Sequence, residues 1–210
     1  MSFQTKAFKN MKRIQLLFIC LIFAITTFSQ SNDHLKFMGI PITGTITQFQ
    51  TRLSTKGCTY NKALSSSLSS ATRAFKGTFL GNKATIFVYY DSKTKIVYRV
   101  KTVIEGQSED IAEQEYSRIK QLLAKKYGEE NAITDTKDDK ECISFISLKS
   151  KSTNMTDTTD LSELANGSID LFITKDEEIW MRYPYNFNIH IDYNDMVNTQ
   201  KHENQQLDEI

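Results

Sequence analysis

The stretch from Arg73 to Glu105 constrains this chain more than any other. Three runs rich in Val, Ile, Thr, Phe and Tyr follow one another there: Arg73–Leu80, Lys83–Tyr90 and Ile96–Glu105. β-Branched and aromatic side chains suit a pleated, half-buried surface, so each run reads as a strand. Gly81-Asn82 separates the first two, and Asp91-Ser-Lys-Thr-Lys95 the second pair. Connections this short join antiparallel neighbours, which predicts a β-meander. In the third run Ile96, Tyr98, Val100 and Ile104 share one side, while Arg99 and Lys101 share the other with Val97 and Val103. The apolar side needs a cover, and the helical patterns before and after the meander are the candidates.

Before the meander, Thr47-Gln-Phe-Gln50 has the form of a capping box, Phe49 and Leu53 share a helix face, and Gly57 can end the helix. These signals predict a helix over 47–56. After the meander, Ala112, Tyr116, Ile119, Leu123 and Tyr127 recur at helical spacing and Gly128 follows. Ser108 or Asp110 can cap that helix, and Glu109 and Glu113 complement its dipole. The serine-rich run Ala63–Ala71 carries no nucleophile motif and reads as a surface loop. Glu129–Lys140 reads as an acidic turn, Cys142–Lys149 as a strand, and Ser150–Asn166 as a long polar loop. Ser168–Thr174, Ile179–Arg182 and Phe187–Tyr193 read as further strands, and 195–210 as a polar tail or marginal helix. The expected fold class is α+β in two layers. An antiparallel sheet of about six strands carries two helices on one face, as two helix-then-three-strand units within a single domain over 31–194.

Residues 1–30 have the pattern of a signal peptide, with an alternative start at Met11. Met11-Lys-Arg13 is basic, Leu16–Ile25 is an unbroken apolar run, and Thr26–Gln30 is small and polar, with cleavage expected near Ser29. The apolar run is too short for a membrane anchor. Cys20 sits inside it behind Ile19, where lipoprotein processing requires a small residue. A secreted or periplasmic location is therefore expected, with no membrane span after cleavage. Four of the 26 basic residues (Lys6, Lys9, Lys12, Arg13) and none of the 25 acidic ones precede residue 31, which leaves 22 against 25 and a net charge of −3. That balance excludes a nucleic-acid footprint.

Cys58 and Cys142 remain after cleavage; they suit either a disulfide or two small buried hydrophobes. His34, His190 and His202 have no metal-ligand spacing to one another or to Cys, so no metal and no cofactor is expected. In Asn188-Ile-His-Ile-Asp192, alternation places Asn188, His190 and Asp192 on one face, a solvated strand face or an acid–base pair. No catalytic residue is assigned. The candidate binding surface is the aromatic set Tyr89, Tyr90, Trp180, Tyr183, Tyr185 and Phe187, in which Trp180, Tyr183, Tyr185 and Phe187 flank Pro184. Flat rings make a platform for a peptide or sugar, and they equally suit core and sheet-edge packing.

The segments His34–Ile42, Gly44–Ile46, Phe75-Lys-Gly-Thr-Phe79, Tyr98-Arg99 and Lys126-Tyr-Gly128, with Ile169–Phe172 and His190–Tyr193, span most of the chain beyond the leader. In these segments the chain resembles a group of uncharacterised small secreted proteins of Bacteroides-type bacteria. Its element order is similar to the β-lactamase-inhibitor-protein fold, in which helical and antiparallel β units repeat in tandem. Neither resemblance implies catalytic residues. Asp157-Thr-Thr159 resembles the short O-glycosylation acceptor motif of such bacteria, which implies Thr158 as an acceptor. The function expected is a secreted, monomeric, non-enzymatic binding or inhibitor-like module with a protein or glycan partner. The alternatives are a small exported hydrolase or transferase with a loop-built site, and a structural envelope-associated protein.

Overall fold

The computed structural model describes residues 34–137, 140–149, 165–175 and 186–207. The expected leader, the expected short strand at 179–182, and Trp180, Tyr183, Tyr185 and Thr158 lie outside the described residues.

The described chain opens with a short hairpin, β1 (Lys36–Phe37) and β2 (Ile40–Pro41). The first helix, α1, covers Ile46–Thr55. Its capping box lies two residues earlier than the sequence pattern suggests, because Ile46 shares the buried stripe with Phe49 and Leu53 and so belongs inside the helix. Thr45 N–H donates to Gln48 Oε1 at 3.0 Å, and Gln48 N–H donates back to Thr45 Oγ1 at 3.4 Å. Beyond β3 (Thr59–Tyr60), the first part of the serine run expected as a loop is instead a short helix, α2 (Lys62–Ser67), while residues 68–71 are irregular. Asn61 Oδ1 caps it by accepting from Leu64 N–H, and the Ser65 and Ser66 hydroxyls donate to the carbonyls of Asn61 and Lys62, four residues back. This local bonding lets serines sit in a helix they would otherwise weaken.

The meander follows as β4 (Thr72–Phe79), β5 (Asn82–Tyr90) and β6 (Val97–Gln107), and then the long helix α3 (Glu109–Tyr127). The segment Glu129–Lys140, expected as a turn, holds one 3-10 turn at Glu129–Asn131 and then strand β7 (Ala132–Lys137). Strands β8 (Lys140–Leu148), β9 (Ala165–Lys175) and β10 (Phe187–Asp195) complete the sheet, and α4 (Met196–Leu207) ends the described chain. Among the described residues no helix is long and apolar enough to cross a membrane.

The fold is α+β in two layers. Among the described residues eight antiparallel strands, against the about six expected, form one sheet in the order β3-β4-β5-β6-β10-β9-β8-β7. The two halves of the chain meet where β6 pairs with β10. On one face Phe75, Ile86, Val88, Val100, Ile104, Ile189, Ile191, Leu171, Ile169, Ile143 and Phe145 are buried with Phe49 and Leu53 of α1 and Ala112, Ile119 and Leu123 of α3. Helices α1 and α3 therefore cover the same side. β6 carries two bulges. At Gly106, whose φ of +73° favours glycine, the pairing passes from Gln107↔Phe187 to Ile104↔Ile189. At Tyr98 it passes from Arg99↔Tyr89 to Val97↔Tyr90, and Tyr98 stacks on His202 of α4 at 4.4 Å.

Two buried carboxylates hold the first and last described segments. Asp195, fully buried, accepts from Asn198 N–H at 2.9 Å as the cap of α4, from Leu35 N–H at 2.8 Å, and pairs with His34 Nδ1 at 3.0 Å. Asp91 accepts from the N–H groups of Lys93 and Thr94 and the Thr94 hydroxyl, and pairs with His202 Nδ1 at 2.8 Å. The polar segment 195–207 is thus anchored through hydrogen bonds that composition does not reveal.

Cys58 and Cys142 are two buried thiols with no disulfide between them. Cys58 packs against Gly77 of β4, where a Cβ would come within 2.7 Å of its Sγ, while Cys142 lies on β8. From β4 to β8 the sheet runs through five strand spacings, roughly 24 Å, and a bridge needs Cα atoms within about 7 Å. Burial pushes the Cys58 thiol above its ordinary pKa.

Thr102 lies in register between Ile86 and Ile191 on the covered face, fully buried, and its hydroxyl has no hydrogen-bond partner. Thr102→Val keeps the shape and removes the unsatisfied group, so it is expected to stabilise the fold by about 1 kcal/mol. A thermal melt checks this, with a rise of about 2–4 °C expected and a fall contradicting it. Asp91 supplies a pH test. Burial acts to raise its carboxyl pKa, but the Thr94, His202 and Lys93 hydrogen bonds outweigh burial and hold it at about 2, below the ordinary 3.8. A lowered folded pKa means that the contribution is complete above the ordinary value and lost as pH falls through about 2. Asp91→Asn is expected to cost roughly 1–3 kcal/mol at pH 7 in urea titrations. The gap to wild type should shrink between about pH 4 and pH 2; a gap of constant size would contradict this assignment.

Candidate functional site

The second sheet face is a grid set by the strand registers. One row runs Tyr89, Arg99, Asn194, Ser168 across β5, β6, β10 and β9. The next runs Phe87, Lys101, Asp192, Asp170, Ser144, and the third Lys76, Thr85, Val103, His190, Phe172, Cys142. Strand alternation puts these side chains opposite the helix-covered core. They are more polar than the core residues, and most are half-buried, with Lys76 exposed and Asp192, Thr85, Val103 and Cys142 buried.

The centre of the grid is held by paired groups. Arg99 donates to Asp192 through both Nε, at 2.8 Å, and Nη2, a fork that spans the junction of the two halves. Asp192 is 3% exposed, whereas 39% of the Arg99 side chain reaches solvent. The hydrogen bond to Asp192 pushes the guanidinium pKa further up, against the opposing effect of burial, so Arg99 stays charged. The guanidinium lies 5.0 Å from the centroid of the Tyr89 ring, whose own phenol is pushed up by burial. Beside it, Lys101 Nζ lies 5.5 Å from the Phe172 ring, and Phe172 stacks on His190 at 4.7 Å with the planes 4° apart. His190 Nε2 pairs with the Thr174 hydroxyl at 2.7 Å. Ser144 Oγ donates to Asp170 at 2.8 Å, which is also bonded by Asn194 Nδ2.

Chemically, this is a surface of fixed rings, cations and acceptors. The Ser144 hydroxyl is turned toward a carboxylate, and Asp192, the acidic neighbour that alternation offered to His190, is taken by Arg99. The grid suits recognition by stacking and charge-assisted hydrogen bonds.

Of the aromatic set read from the sequence, the structure keeps Tyr89 on this face and moves two others away. Tyr90 is buried on the core side, 7% exposed, and donates its hydroxyl to Ser70 O at 2.6 Å, because successive strand residues point to opposite faces. Phe187 packs against the core cluster at the start of β10. Arg99, Lys101, Phe172 and His190 join Tyr89 instead. Alternation within β6 already put Arg99 and Lys101 on one side, but nothing local pairs that side with β9 and β10. The contact from Arg99 to Asp192 spans 93 residues.

A shallow depression of about 340 Å³ lies at one end of the same face, lined by Lys76, Lys83, Thr85, Val103 and Glu105 with the backbone of Gly77 and Ala84. A second, of about 410 Å³, lies between α3 and the sheet, with Glu113, Tyr116, Ser117, Glu141 and Ile173 in its lining. The Tyr116 phenol is pushed up to about 12 by burial and by Glu141 and Cys142. Comparison with protein-family models, with curated proteins and with solved structures gives no match to this chain.

Proposed function

We propose that the protein is an exported, non-enzymatic binding module that takes a partner protein on the polar face of its sheet, in the manner of an inhibitor or adaptor. The leader pattern of residues 1–30 supports export. The observation that carries the binding reading is the state of Arg99. Its guanidinium is fixed flat by the two-point contact with Asp192 and by the Tyr89 ring, yet well over a third of the side chain reaches solvent. Arg and Tyr are the residues that most often anchor protein interfaces. A side chain already held in place loses little further freedom on binding, which makes it an efficient anchor. Lys101 over Phe172, with His190 stacked beneath, supplies a second ordered cation and ring one row away.

The test uses residues 30–210 as bait on an envelope extract, with Tyr89→Ala and Arg99→Ala baits in parallel. The expected result is one protein captured by the wild type and bound at least tenfold more weakly by either variant, about 1.4 kcal/mol or more per anchor. Hydrogen exchange of the complex should protect β5, β6 and β10. Equal capture by all three baits would remove this face from the interface. A captured glycan would change the partner class, and turnover of a substrate without any captured partner would reverse the reading in favour of an enzyme.

A further inference from the structure

We propose that the depression at the β4–β5–β6 end of the polar face is a subsite for a small carboxylate-bearing ligand, independent of what binds the Arg99 region. Three features point to it. Lys76 and Lys83 both line the depression and both are exposed, and among the described residues neither ammonium has a hydrogen-bond or ion-pair partner. Nor does either pair with Glu105, so a carboxylate and two cations line one cavity without closing on one another. Between them stands Thr85, only 8% exposed, in register with Lys76 on one side and Val103 on the other. The residue lines the cavity, and its hydroxyl has no hydrogen-bond partner among the described residues and is open to a ligand there.

The chemistry of the lining selects the ligand. An anionic group sits between the two ammoniums and accepts from the Thr85 hydroxyl. Val103, also 8% exposed, gives an apolar floor for the ligand body. Glu105 lies on the opposite side and accepts from a donor at the far end of the ligand. From β4 to β6 is two strand spacings, roughly 10 Å, which with the reach of the Lys76 and Glu105 side chains leaves room for one sugar ring or a dipeptide. A carboxylate at one end, a compact body and a hydrogen-bond donor at the other describe both a uronic acid and a dipeptide with free termini. The shared requirement is the carboxylate, and Glu105 distinguishes the donors. A carboxylate is needed to hold an ammonium, whereas the amide of Gln accepts from a sugar hydroxyl equally well.

The experiment titrates D-glucuronate, L-alanyl-L-alanine and acetate into the full exported chain while backbone amide NMR shifts are followed. The wild type is expected to bind glucuronate or the dipeptide with Kd of roughly 1 mM and acetate more weakly, with shifts at Lys76, Thr85, Val103 and Glu105. The Lys76→Gln/Lys83→Gln double variant, altered only at exposed positions, should keep its melting temperature and lose at least tenfold in affinity. In Glu105→Gln, loss of dipeptide binding identifies an ammonium ligand, and retained glucuronate binding identifies a hydroxyl ligand. No shift at about 20 mM of any of the three ligands, more than tenfold above the expected Kd, would overturn the proposal. So would shifts that persist unchanged in the double lysine variant.

Discussion

The pairing of β6 with β10 is the constraint on which the rest of the structure depends. Everything before it in the chain, β3 to β6, could form a local meander, and everything after α3, β7 to β10, a second one. Neither has both faces satisfied alone. The junction puts Val100 opposite Tyr193, Thr102 opposite Ile191 and Ile104 opposite Ile189, so one apolar surface runs from β4 to β8 under α1 and α3. A continuous surface of this size is what allows two helices far apart in sequence to share one core, since hydrophobic stabilisation grows with the apolar area withdrawn from water. It also makes the fold rely on a contact between distant segments, whose closure entropy has to be overcome before the contact stabilises anything.

The same junction builds the polar face. Arg99 comes from β6 and Asp192 from β10, and their fork exists only when the two halves are in register. A slip of one residue would turn Asp192 into the core and Ile191 out to solvent. The Gly106 bulge lets β6 run past the register break and still meet Phe187, and the Tyr98 bulge places a ring against His202 on α4. Asp91 and Asp195 then fasten α4 and the segment at His34–Leu35 to the ends of the strands. Positioning of the candidate interface and stability of the fold are therefore two consequences of one strand pairing.

Much of this was legible in the sequence because it is local. The meander, both long helices and the strand at Phe187–Tyr193 each carry their own period and punctuation, and the two-layer α+β class follows from them. β7 was hidden because its alternation of Ala132 and Thr134 with Ile133 and Asp135 is weakly apolar, as suits an edge strand. α2 was hidden because serine composition argues for a loop unless its hydroxyls bond back to the helix. The candidate site was only half readable. Alternation separated Arg99 and Lys101 from the core side of β6, and Tyr90 could have been separated from Tyr89 by the same rule. Asp192, Phe172 and His190 reach that face only through strand pairing between the halves, and no residue near Arg99 in sequence announces it.

Native-state hydrogen exchange is the most direct test of the central claim that the β6–β10 junction makes one cooperative sheet. The amides of Val100 to Ile104 and of Ile189 to Tyr193 should be the slowest in the protein, and should exchange together at the free energy of global unfolding. If β4 to β6 instead exchanged at one free energy and β7 to β10 at another, with the junction amides among the fast ones, the halves would be independent units and the account would fail.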